Sequence, residues 1–332
     1  MTTYKGINGF AVQSVASDPS PLDEGQVWYN NATYAFKLAT QTVAGTFASG
    51  GNLGSGGYAF GYAGTQTAGL LAGGYTGSYN GNSALYNGTS WTSIPATTPN
   101  NGYSACAGTQ TAAIITGGFG NPNAPKSDVN YFNGTTFSPQ TSLPAGRWQA
   151  GGTGTQTSTL VFGGEVGGSP DSNSTVEWDG SSWTTGGNLN TGRDNMGGAG
   201  TQTAALAFGG GAAPGPSGST ATELYNGTAW TSNPTGLNSG RGLAAGYGTQ
   251  SSAGLFGGGP PTNVPVNGIK VEIWNGTTWS TNPNNMPTAL NQHKGCGTVA
   301  AGLSWGGSPG TSDVTLEFTG PGVPQTKTIT TS

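Results

Sequence analysis

The sequence predicts an all-β chain made of six consecutive units of four short antiparallel strands. Three observations carry this. A GTQT-like tetrapeptide begins at Gly64, Gly108, Gly154, Gly200, Gly248 (GTQS) and Gly297 (GTVA), in steps of 44, 46, 46, 48 and 49 residues. Nine residues after each of these glycines, a Gly-Gly doublet closes an apolar run: LLAGG, IITGG, LVFGG, LAFGG, GLFGG and LSWGG. An aromatic, an Asn-Gly or Asp-Gly pair and a second aromatic five residues on then follow: Tyr86 to Trp91, Phe132 to Phe137, Trp178 to Trp183, Tyr225 to Trp230 and Trp274 to Trp279. The sixth copy keeps only Phe318, Thr319 and Gly320.

Each piece has a local reason. A short apolar run bounded by turn residues reads as a buried strand. GTQT between two such runs is a tight hairpin, its glycine supplying backbone freedom. YNGTSW, FNGTTF, WDGSSW, YNGTAW and WNGTTW are Asn-Gly or Asp-Gly hairpins flanked by aromatics, a strong short-range hairpin signal. No stretch has a useful helical period. Four-stranded units at this spacing describe a β-propeller.

Composition narrows the class. Of 332 residues, 63 are glycine and only 7% are charged, against averages of about 7% and about 25%. The 9 tryptophans, 12 tyrosines and 11 phenylalanines argue against disorder, which is aromatic-poor and charge-rich. The glycines have no three-residue period, which excludes collagen. A net charge of −4 is the wrong sign for nucleic acid, which needs a dense basic footprint. Nothing approaches ~20 consecutive apolar residues, so no membrane insertion is expected. Residues 1–20 lack a basic start followed by an apolar run, so no secretory signal is read there. Cys106 and Cys296 are too few for a disulfide framework and lack zinc spacing.

The apolar strand, Gly-Gly and spaced aromatics resemble the kelch repeat over residues 47–320, with lower charge and the GTQT hairpin as departures. GTQT turns combined with YNGTxW turns are similar to kelch-like proteins of bacteriophage virions. The resemblance implies a six-bladed, kelch-like propeller over residues 45–320. Phase agrees: the second aromatic precedes the next GTQT by 17 or 18 residues, and 17 before Gly64 lies Phe47 in GTFASGGNL, which resembles SSWTTGGNL at 181–189. The chain would enter on a fourth strand near Phe47 and leave on a third near Phe318. Pairing of the N- and C-terminal strands would then close the ring and remove free sheet edges. A second phase aligns WYNNATY (28–34) with the aromatic hairpin, but it needs extra residues before Gly64 and has no doublet upstream.

Residues 1–44 do not repeat and form an N-terminal extension. FAVQSVA (10–16) reads as a strand and VWYNNATYAFKLA (27–39) as a hairpin, joined by the proline-rich SDPSPLDEG. A lone hairpin is marginal in water, so it either packs on its own ring or pairs with a neighbouring subunit by strand addition. In the second case Phe10, Val12, Trp28, Tyr29 and Tyr34 are the assembly residues. GQVWYN (25–30) also resembles a segment of phage appendage proteins. The tail 321–332 could add another outer strand.

Catalytic signals are weak. The one histidine, His293, excludes a multi-histidine metal site, and no cofactor or metal is expected. Glu177, Glu223, Glu272 and Glu317 lie beside outer hairpins rather than converging as a glycosidase pair. The three arginines, Arg147, Arg193 and Arg241, each stand seven residues before a GTQT glycine, where the other repeats have Gly57, Asn101 and Leu290, with His293 and Lys294 nearby. Guanidinium groups suit bidentate capture of an anion or acidic sugar, so Arg147, Arg193, Arg241, His293 and Lys294 form a candidate ligand face beside variable loops such as 119–128 and 259–268. The kelch resemblance implies instead that such arginines bond to carbonyls at blade junctions. The expected role is a non-enzymatic structural or adhesive propeller, virion or extracellular. Other virion or filament subunits, a second copy of itself or a host surface glycan are its expected partners. A secreted carbohydrate-binding propeller and a filament subunit are the alternatives.

Overall fold

A computed structural model describes residues 12–19, 26–41, 44–95, 98–167, 171–211, 218–259, 268–322 and 324–329. The chain divides into two compact units: Thr46–Thr319, and Met1–Gly45 together with Gly320–Ser332. Among the described residues there is no helix, hence none long and apolar enough to cross a membrane.

The larger unit is propeller-like. Its antiparallel four-stranded sheets follow the repeats in order. In the third, Gly151–Thr155 pairs with Ser158–Phe162, then Thr175–Trp178, then Trp183–Thr185. GTQT makes the first hairpin, and the spaced aromatics face each other across the last: Tyr86 with Trp91, Phe132 with Phe137, Trp178 with Trp183, Tyr225 with Trp230 and Trp274 with Trp279. Lys294–Gly297, Ala301–Trp305 and Thr315–Thr319 are completed by Thr46–Ser49, with Phe318 opposite Phe47. The first strands of successive sheets lie side by side, and Lys294–Gly297 lies beside Gly61–Thr65 of the first sheet.

The core sits between sheets. Each hydrophobic cluster mixes residues of two consecutive repeats: Leu160, Phe162 and Leu189 pack with Ala205, Tyr225 and Trp230, and Leu53, Phe60 and Tyr86 pack with Leu303 and Trp305. Fully burying one such side chain stabilises by about 1.5–3 kcal/mol, so neighbouring sheets are held face to face. The aromatics also carry polar handles. Trp230 and Trp279 donate their indole N–H to Thr175 and Thr222 of the preceding repeat, at 3.0 and 2.9 Å.

The glutamine of GTQT is explained by the same junction. Its side-chain amide reaches back to two carbonyls of the preceding repeat: Gln110 to Gly69 and Tyr86, Gln156 to Ala113 and Phe132, Gln202 to Thr159 and Trp178, Gln250 to Ala205 and Tyr225. Gln66 reaches Gly302 and Phe318 of the sixth, at 3.1 and 2.9 Å. Each clamp satisfies strand-end carbonyls that would otherwise lack partners. Gln66→Ala is expected to cost about 1–3 kcal/mol, one deletion with two acceptors left open, read as a lower denaturant midpoint with an unchanged slope.

In the smaller unit, Val27–Asn30 and Ala35–Gln41 form a hairpin, flanked by Gln13–Val15 in parallel and Pro324–Thr328 antiparallel. WYNNATY is therefore the turn region of this separate sheet, and the tail adds its strand here. Asn30 caps the turn by accepting from the Ala32 and Thr33 amides. Asp18 accepts from the Trp28 indole at 3.0 Å and the Asn30 amide at 2.7 Å, which holds its carboxyl below the usual range.

Candidate functional site

The connector into each first strand is built by a feature without a sequence motif. Five residues before each GTQT glycine, Ala59, Tyr103, Gln149, Asn195, Leu243 and Gln292 all have φ between 49 and 60°, a conformation that non-glycine residues rarely adopt. Their backbones are linked head to tail. Tyr103 donates to Ala59, Gln149 to Tyr103, Asn195 to Gln149, Leu243 to Asn195 and Gln292 to Leu243, at 2.7–3.1 Å. Ala59 in turn donates to Gln292, at 3.1 Å. The circuit returns to its start, and the Tyr103 hydroxyl adds a bond across it to Gln292 Oε1 at 2.7 Å.

The arginines lie two residues upstream of the circuit, and all three are buried. Arg147 donates to the carbonyls of Gly163 and Ser174 at 2.9 Å and to the Ser174 hydroxyl at 2.7 Å. Arg193 donates to the carbonyls of Gly209 and Ala221 and to Glu223 at 2.8 Å. Arg241 lies 2.7 Å from Glu272. Asn101, at the equivalent place, bonds to the Gly117 carbonyl at 2.7 Å, so the position recurrently ties its connector to the doublet of its own repeat. Its carbonyl clamps the repeat before: Gly210 N–H donates to Arg241 O at 3.0 Å, and Gly307 N–H to Gly57 O at 2.7 Å. A Cβ on Gly209, at φ +66°, would meet Arg241 O at 2.6 Å, so glycine is required there.

Burial takes all three arginines off an exposed ligand face: Arg147 and Arg193 are bonded within their own repeats and Arg241 is ion-paired to Glu272 of its own, with burial pulling all three pKa values down. His293 is likewise buried against Gly257 and Gly307. Burial first, then the Lys294 charge, brings its pKa down to about 3. It is a neutral core residue rather than a loop ligand. Lys294 faces inward, its ammonium 5.6 Å from the Tyr62 ring, and burial lowers its pKa too. It shares a small cavity with Tyr103, Gln149, Asn195 and Gln292.

The carboxylates are committed as well. Tyr86 and Tyr225 donate their hydroxyls to Glu317 and Glu177. Glu223 and Glu272, beyond their arginines, accept from the backbone and side-chain amides of Asn190 and Asn238. Among the described residues no cluster of His, Cys, Asp and Glu could hold a metal ion. Cys106 and Cys296 are free thiols, and burial pushes Cys106 up to about 12.

The proposed assembly residues divide. Trp28 is fully buried, and Tyr29 packs on Phe36 with ring centroids 5.1 Å apart. Trp28 therefore offers no exposed surface, and its indole N–H is taken by Asp18. Val12, Tyr34, Phe36 and Ile329 are exposed, and every large exposed hydrophobic residue among those described lies in this unit. Phe10 lies outside the described residues, as does most of the 259–268 loop.

The remaining feature is an arc of aromatic rings on the connectors and the loops between second and third strands. Tyr58 stacks on Tyr75, which meets Tyr79, then Phe119, then Trp148, then Tyr103 of the circuit, with centroid separations of 4.6–5.8 Å. All six residues are half-buried. Tyr75, Tyr79 and Phe119 line a groove of about 490 Å³ together with Ser78, Asn121 and Asn123. Sequence reading missed this site; the signal was the residue after each Gly-Gly doublet, aromatic only as Tyr75 and Phe119.

The chain matches no protein-family model and no curated protein sequence.

Proposed function

We propose that the chain is a closed, six-bladed, kelch-like β-propeller without catalytic chemistry, serving as a rigid structural and adhesive part of an extracellular assembly, a bacteriophage virion appendage or surface protein. The observation that carries the reading is the unbroken circuit from Ala59 through Gln292 and back. An open stack would leave one donor and one acceptor at its ends unpaired, at a cost to both. The Phe47–Phe318 pairing and the Gln66 clamp support the same closure. A body of this kind with committed carboxylates and buried arginines suits recognition through its loops rather than turnover. The exposed Val12, Tyr34, Phe36 and Ile329 give the smaller unit an apolar surface for attachment to neighbouring subunits. The virion setting rests on the resemblance of the GTQT and YNGTxW turns.

Antibody labelling in electron microscopy of the purified native assembly tests this. The chain should decorate particles at regular positions, and deletion of residues 1–44 should leave it off them. Recovery of the full chain only as a free protein, or incorporation of the truncated one, would overturn the reading.

A further inference from the structure

The aromatic groove is not required by the fold. At the position after the Gly-Gly doublet the six repeats have Tyr75, Phe119, Glu165, Gly211, Gly259 and Ser308. The same strand-to-loop transition is therefore built in four repeats without an aromatic ring. Two large rings placed side by side in consecutive repeats, with Tyr79 between them, add half-exposed apolar surface that the scaffold does not need.

The groove is also held in shape. Phe119–Gly120 pairs with Ala124–Pro125 on one side and with Asn101–Gly102 on the other. Lys126 folds back to donate to the carbonyls of Asn121 and Pro122, at 2.9 and 3.3 Å, so its ammonium is engaged by its own loop. The lining itself is free of formal charge: the three aromatic rings with Ser78, Asn121 and Asn123. Asn121 and Asn123 are exposed, and each side-chain amide offers both donors and an acceptor.

This chemistry selects an occupant. A ring with a negative π-face attracts polarised C–H groups laid flat on it, and a hexopyranose presents such a face together with a rim of hydroxyls that both donate and accept. A charged ligand would find no counter-charge here, and an extended proline-rich segment offers carbonyl acceptors without donors for the amide oxygens. We propose that this groove binds a neutral oligosaccharide, with Tyr79 and Phe119 as sugar platforms and Asn121 and Asn123 as partners for the hydroxyls. The proposal rests on the reading of this face as an adhesive surface, not on the virion setting or the attachment of residues 1–44.

Titration of the full chain with neutral gluco-, manno- and galacto-oligosaccharides, sialyllactose and a polyproline decapeptide tests it. At least one neutral sugar should bind. Tyr79→Ala should weaken binding about tenfold or more, a loss of one stacking contact and its buried area, while Tyr79→Phe, which keeps the platform, and Tyr34→Ala, in the other unit, should not. Affinity should stay level between roughly 50 and 500 mM NaCl, since no charge pair is involved. Binding of the decapeptide or sialyllactose alone, no binding by any neutral sugar, or equal affinity in Tyr79→Ala would each overturn the proposal. Unchanged thermal midpoints identify the variants as folded. Failure here together with a decorated particle rejects the sugar and leaves the structural role intact.

Discussion

Arg193→Met is expected to destabilise the propeller-like unit by about 3–5 kcal/mol, because it leaves Glu223 as a buried charge without its counter-ion. Arg193 and Glu223 are 0% and 1% exposed. The guanidinium also satisfies the Gly209 and Ala221 carbonyls, so three acceptors lose a donor at once. Two comparisons isolate the charge. Arg147→Met removes an equally placed arginine that bonds only to carbonyls and a hydroxyl, and should cost less, about 1–3 kcal/mol. Arg193→Met with Glu223→Leu should recover much of the loss, since an apolar pair can replace a buried ion pair. Denaturant midpoints of the parent, the two single variants and the double variant measure each loss. If Arg193→Met costs no more than Arg147→Met, or the double variant recovers nothing, the ion pair is not what is lost.

The second large effect is acid sensitivity through His293. Burial holds its folded pKa down at about 3, below the ordinary imidazole value of 6.5, so below pH 6.5 the unfolded chain takes up a proton that the folded one refuses. Stability from this residue is complete above pH 6.5 and is progressively lost as pH falls toward about 3. His293→Leu removes the proton acceptor while keeping an apolar side chain of similar size. The variant should have a flatter stability profile between pH 6 and pH 4, whatever its stability at pH 7. A profile parallel to that of the parent would mean that the buried histidine titrates normally.

What the sequence made legible follows from which interactions leave a residue signature. Strand pairs fixed by side chains were readable: the five-residue aromatic spacing predicts the facing of Tyr86 and Trp91 through Trp274 and Trp279, and it places Phe47 opposite Phe318. The circuit through Ala59, Tyr103, Gln149, Asn195, Leu243 and Gln292 was not readable, because backbone atoms make its bonds and any side chain can ride on them. The arginines were found as equivalent positions, but their partners needed a second clue. Glu223 and Glu272 stand two residues before the aromatic of their strand, whereas Glu177 and Glu317 stand one before it. Strand alternation sends these pairs to opposite faces. The first two meet their own arginines, and the second two meet Tyr225 and Tyr86 of the following repeat. His293 looked like a loop residue because its neighbours are polar, while the glycines that admit it to the core lie far away in sequence.

Closure of the ring by strand Thr46–Ser49 is the claim on which the rest depends, and a disulfide trap addresses it most directly. Thr46 and Thr319 are opposed across the strand pair, within the reach of a disulfide for facing strand residues. With Cys106 and Cys296 replaced by alanine, Thr46→Cys with Thr319→Cys should oxidise readily to a monomeric loop that runs faster on a non-reducing gel. Thr46→Cys with Glu317→Cys, two residues out of register, should stay reduced. Equal oxidation of both pairs, or of neither, would contradict a chain whose ends share one sheet.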